Sequence, residues 1–186
     1  SLAFVSLEGL TMASAQPATA NQSAVGAALD GLPASSALAA AALMLPDEAA
    51  AQVAGRLVAL VNDISRRRGG RPVRWLGDGG MFYFREPGTA VVAGLDLVER
   101  GAAVDLPPAH VGVHTGPVIS QDGDVYGRTV NLAARIASFA HAGQVVVSQE
   151  TAQRCGDRQV WFDPLGAVEL KGVAKPLPLY QAHRRP

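Results

Sequence analysis

Two strand-like runs, Pro72-Val-Arg-Trp-Leu76 and Met81-Phe-Tyr-Phe84, flank the segment Gly77-Asp-Gly-Gly80. Asp-Gly between apolar runs is a hairpin signal, so the chain is expected to turn back here and pair antiparallel. The turn carries one carboxylate, Asp78. About forty residues later comes Gly123-Asp-Val-Tyr-Gly-Arg-Thr-Val-Asn-Leu-Ala-Ala-Arg135. Its apolar spacing is helical, and Asn131 and Arg135 fall four residues apart on one face. A carboxylate on a rigid turn suits a metal ion. An amide and a guanidinium one helical turn apart suit a phosphate. Together they point to nucleoside triphosphate chemistry.

The 186 residues fit one domain, and 48% hydrophobic content is enough for a core. The formal net charge is zero, which speaks against bulk nucleic-acid or membrane-surface binding. The single cysteine, Cys155, rules out an internal disulfide framework and fits a reducing, cytoplasmic setting. The longest apolar run, Ala34–Leu45, is too short to span a bilayer. The abrupt start at Ser1-Leu2 is read as a domain excised from a larger protein. Residues 12–46, rich in Ala, Ser, Gln, Asn and Gly, read as an insertion of flexible or weakly helical character.

Helices are expected from Asp47 to Arg68, over 88–100, over 128–141, and briefly over 149–155. Strands are expected at 2–7, 72–76, 81–84, 109–115, 144–147, 160–165 and 177–182. The segment 116–124 reads as a loop or small hairpin. This alternation alone leaves α+β and α/β open. His110 and His114 have a spacing that also suits zinc, but packed strand histidines are the favoured reading. The run Arg66, Arg67, Arg68, Arg71 and Arg74 reads as a solvated face at a helix C-terminus.

The chain resembles the catalytic domain of the class III nucleotidyl cyclases. The resemblance is carried by both segments above and by three further blocks. Phe4-Val-Ser-Leu-Glu-Gly-Leu-Thr11 is similar to the first strand and phosphate loop. Val111-Gly-Val-His-Thr-Gly116 is similar to the central strand, and Glu169-Leu-Lys-Gly172 to the lysine loop. It covers residues 2–11 and about 47–180 and implies a ferredoxin-like α+β cyclase homology domain. The sheet would be mainly antiparallel, with helices packed on one face.

The resemblance also implies roles. Asp78 matches one of two metal aspartates, for Mg²⁺ or Mn²⁺; its alternative is turn support. Asn131 matches the ribose-positioning amide and Arg135 the transition-state arginine. Lys171 matches a phosphate-contacting lysine. Backbone around Gly9 and Thr11 would face the β- and γ-phosphates. Asp124 matches the adenine-reading acid, and Arg74 stands where adenylyl cyclases carry lysine, so ATP is expected over GTP. Each site would lie between two chains of a homodimer or heterodimer. Neither nucleic acid nor membrane contact is implied.

The main departure is Ser6, at the position of the second metal aspartate. A neutral hydroxyl is a poor ligand for a hard divalent ion. Glu8, two residues on and on the same side of a continuing strand, is a candidate substitute; a solvated glutamate is the other reading. Two functions follow as expectations. One is an ATP-to-cyclic-AMP cyclase weakened at one metal. The other is a silent cyclase-like module that binds nucleotide, regulates an attached domain or completes a partner's site.

Overall fold

The computed structural model describes residues 2–8, 47–76, 79–104, 106–121, 124–156 and 159–185. Residues 12–46, the expected insertion, lie outside them. The elements in chain order are β1 (Leu2–Glu8), α1 (Asp47–Arg68), β2 (Arg71–Leu76), β3 (Gly79–Phe84), α2 (Pro87–Ala103), β4 (His110–Gly116), β5 (Ile119–Gln121), β6 (Asp124–Tyr126), α3 (Arg128–Phe139), β7 (Val145–Ser148), α4 (Gln149–Arg154), β8 (Val160–Val168) and β9 (Leu177–Arg184). Seven strands form one sheet in the order β2-β3-β1-β4-β7-β9-β8, and β5 and β6 form a separate hairpin. Every pairing is antiparallel except that of β4 with β7. The fold is α+β with a mainly antiparallel sheet, as the resemblance to the cyclases implies.

The apolar spacing in α1 and α2 turns into burial on one side of the sheet. Leu57, Leu60, Val61 and Ile64 of α1 join Val91, Val92 and Leu95 of α2 over Val111, Val113, Val145 and Val147. Burying such side chains contributes roughly 1.5–3 kcal/mol each.

The helices are not confined to that side, which corrects the one-face expectation. Successive residues of a strand face opposite ways. Val146, between Val145 and Val147, packs with Ile136 of α3 and with Leu179. A Cβ added at Gly112, between Val111 and Val113, would lie 2.6 Å from Ala137 Cα and 2.8 Å from Ala133 O. Thus α3 lies on the opposite face, its backbone pressed onto a strand position where only hydrogen fits. All seven residues of β4 are buried, because both its faces are covered.

The basic run at the end of α1 is bound locally. Arg67 pairs with Asp63 at 2.9 Å, Arg68 with Asp96 at 2.8 Å, and Arg66 Nε donates to the Asn62 carbonyl at 3.3 Å. Hydrogen bonds from Arg67 and Arg100 hold the Asp63 carboxyl below the usual carboxylate range.

Candidate active site

The site is built on α3. Its apolar stripe, Leu132, Ala133, Ile136 and Ala137, is buried against the sheet, which forces Arg128, Asn131 and Arg135 outward, where all three are exposed. Two contacts fix the first turn. The Gly127 carbonyl accepts from the backbone amides of Val130 at 3.1 Å and Asn131 at 3.3 Å. The Thr129 hydroxyl donates to the Pro117 carbonyl. Gly127 itself has φ 127°, a region that favours glycine.

Across from this face lies the loop between β8 and β9. Leu170 is buried against Ile136 and Leu179, and Val173 donates its amide to the Leu170 carbonyl at 3.0 Å. Gly172, at φ 77°, completes the turn. A groove of ≈ 910 Å³ runs between the two walls, lined by Arg128, Asn131 and Arg135 on one side and Gly172, Val173 and Ala174 on the other. Lys171 is exposed at its edge, next to Gly172. No carboxylate is among the described residues lining this groove. A phosphate-bearing ligand in this groove would meet cations and, among the described lining residues, no competing anion.

The two positions expected to read the base approach at the level of their strands. β2, which carries Arg74, touches β6, which carries Asp124. Val73, Val125, Val130 and Ala133 share one apolar cluster with Met81, so β2, β3, β6 and the start of α3 form one packed unit. Asp124 pairs with Gln121 across the hairpin, and Arg74 pairs with Met81.

The metal half is placed only through its backbone. Ser6 pairs with Met81 on one side and Gly112 on the other. The antiparallel register sets the Glu8 end of β1 toward the Gly79 end of β3. Asp78, Gly9 and Thr11 lie outside the described residues. Among the described residues no group of three His, Cys, Asp or Glu could hold a metal. The strand positions facing Ser6 across the ladder are methionine and glycine, neither of which carries a carboxylate.

The two strand histidines are buried. His114 Nδ1 lies 2.8 Å from Ser148 Oγ, and a hydroxyl chain continues through Thr151 to Thr115. Burial pushes the His114 pKa down, with Glu150 opposing and Arg128 assisting. Cys155 is half-buried against the core.

Arg128 was not singled out by the sequence reading. The signal was present, since 128, 131 and 135 repeat at i, i+3 and i+7, but an isolated arginine at a helix start reads as ordinary solvation.

The profile of the adenylate and guanylate cyclase catalytic domain matches residues 100–183. That stretch contains Asp124, Asn131, Arg135 and Lys171; Ser6, Arg74 and Asp78 lie before it. An uncharacterised protein of Mycobacterium tuberculosis is 32% identical over 129 residues, covering 69% of this chain and 34% of its own length. An adenylate cyclase of Streptomyces coelicolor is 40% identical over 92 residues, covering 49% of this chain and 24% of its own length. The chain thus spans about a third or less of these two relatives. The catalytic core of a rhodopsin-guanylyl cyclase with converted specificity, solved in complex with ATPαS, superposes with a TM-score of 0.72 at 20% identity, covering 100% of this chain and 97% of that one.

Residues 100–183 match the adenylate and guanylate cyclase catalytic-domain family, and the fold is that of the solved class III cyclase catalytic domains. Members of this family use divalent metal ions. Among the described residues no helix is long and apolar enough to cross a membrane.

Proposed function

We propose that this domain converts ATP to cyclic AMP and pyrophosphate in the groove on α3, working in the cytoplasm as part of a dimer. The observation that carries the reading is the exposed Asn131–Arg135 pair, forced outward by the burial of Leu132 and Ile136, in a groove whose described lining is cationic and free of carboxylates. In the reaction the ribose 3′-oxygen forms a bond to the α-phosphorus. The bond from that phosphorus to the bridging oxygen of the β-phosphate breaks, and the hydroxyl proton leaves to solvent. Asn131 orients the ribose. Arg135 presents a fixed guanidinium where negative charge grows on the α-phosphate oxygens. Lys171 binds the departing pyrophosphate, with backbone near Gly9 and Thr11. Asp124 accepts from the adenine amino group and Arg74 donates to the ring nitrogen beside it.

Mg²⁺ or Mn²⁺, when bound, would lower the pKa of the hydroxyl and neutralise leaving-group charge. Asp78 would hold it, with Ser6 or Glu8 contributing from β1. In the interfacial arrangement these metal residues come from one chain, and Asn131, Arg135 and the base readers from its neighbour. The whole chain is read as one domain, with 12–46 an insertion in it.

Incubating the purified chain with ATP or GTP and Mn²⁺, beside an Arg135→Ala control, tests this reading. Cyclic AMP formed by wild type and lost in the control is the expected result. Nucleotide binding without product would favour a second reading, for which Ser6 speaks: a silent module that binds nucleotide or completes the site of a metal-competent partner.

A further inference from the structure

We infer that Arg128 is an additional nucleotide-contacting side chain, placed on the nucleoside side of Asn131; the inference rests on the cyclase reading above. Arg128, Asn131 and Arg135 form one exposed stripe, and all three line the ≈ 910 Å³ groove. No carboxylate pairs with Arg128 among the described residues. Its backbone is anchored from below, because neighbouring Thr129 is buried and bonded to Pro117. Its side chain is thus an exposed guanidinium on the groove wall; Glu150, which shares a neighbouring cavity with it, forms no ion pair with it among the described residues.

The order along the helix decides which part of the nucleotide it meets. At 1.5 Å of rise per residue, Arg128 precedes Asn131 by about 4.5 Å and Arg135 follows it by about 6 Å. With the ribose at Asn131 and the α-phosphate at Arg135, the phosphates run toward the C-terminal end of α3. The base then lies toward the N-terminal end. That end is continuous with β6, the strand of Asp124, through Gly127 alone. Arg128 therefore faces the purine, whose N7 accepts a hydrogen bond in adenine and guanine alike. It holds the nucleoside rather than the triphosphate.

The discriminating experiment compares ATP with inorganic tripolyphosphate, each with Mn²⁺, by titration calorimetry on the full chain. For Arg128→Ala we expect ATP affinity to fall about tenfold, the size of one charge-assisted hydrogen bond, while tripolyphosphate affinity stays within about twofold. Arg128→Lys, which keeps a cationic donor, should recover part of the loss, and unchanged circular dichroism shows that both variants fold. Equal ATP affinity in wild type and Arg128→Ala would overturn the inference and leave the cyclase reading intact. A tripolyphosphate loss as large as the ATP loss would also overturn it, by making Arg128 a phosphate contact. Failure of wild type to bind ATP would remove both readings together.

Discussion

At position 6 a hydroxyl occupies the β1 site where the resemblance calls for a carboxylate. Its ladder neighbours, Met81 and Gly112, supply no replacement. Replacing it should therefore help. Ser6→Asp is expected to raise Mn²⁺-dependent cyclic AMP formation by about tenfold or more, the effect of restoring one anionic ligand. Product formation by wild type at the rate of the restored variant would show that no metal ligand is missing. Arg135→Ala should lower kcat by roughly 10²–10³, the range for losing one preorganised charge-stabilising donor. His114 offers a different readout. Burial lowers its pKa from 6.5, so the folded protein resists protonating it while the unfolded chain does not. Its contribution to stability is complete above pH 6.5 and is lost as pH falls below that value. Asp63, lowered from 3.8, loses its contribution only in more acid solution. Melting temperature should therefore fall between pH 7 and 5, and His114→Gln should flatten that part of the profile. An identical slope in the variant would assign the effect elsewhere.

Among the elements, the contact of α3 with β4 is the one on which the groove depends. A methyl group at Gly112 would meet the backbone of Ala137 and Ala133, which cannot rotate away as a side chain can. Gly112→Ala should cost about 1–3 kcal/mol by overpacking and should also displace Asn131 and Arg135, lowering activity more than stability alone explains. Gly55 is the control: it is exposed in α1 and a Cβ there meets nothing within 4 Å, so Gly55→Ala should stabilise by about 0.5–1 kcal/mol. Thermal melts of the two variants would check both signs.

These two glycines also show what a single sequence reveals. The spacing of Leu57, Leu60, Val61 and Ile64 reports an apolar helix face directly, and the hairpin at Asp78 follows from residue type. The face of the sheet that α3 chooses does not follow. An amphipathic stripe says which side of a helix is apolar, not which side of a sheet receives it. The available hint was β4, whose Val111-Gly-Val run carries no polar alternation, as befits a strand covered twice. The pairing of small Gly112 with the small face of Ala133 and Ala137 became legible only in three dimensions. The helical pair Asn131–Arg135 was visible in sequence. The loop of Gly172 that forms the opposite wall was brought there by the burial of Leu170, a long-range contact.

At the scale of the whole molecule, the reading divides each site between neighbouring chains, with Asp78 from one and Arg135 from the other. A two-fold dimer then has two equivalent mixed sites. This division is tested most directly by mixing two inactive variants, Asp78→Ala and Arg135→Ala, after dissociation and reassociation, and measuring cyclic AMP formation with Mn²⁺. Random pairing makes half the dimers mixed, and each mixed dimer has one intact site of two. The account predicts recovery of about a quarter of wild-type activity. Activity that stays at the level of the separate variants, while wild type turns over under the same conditions, would contradict it.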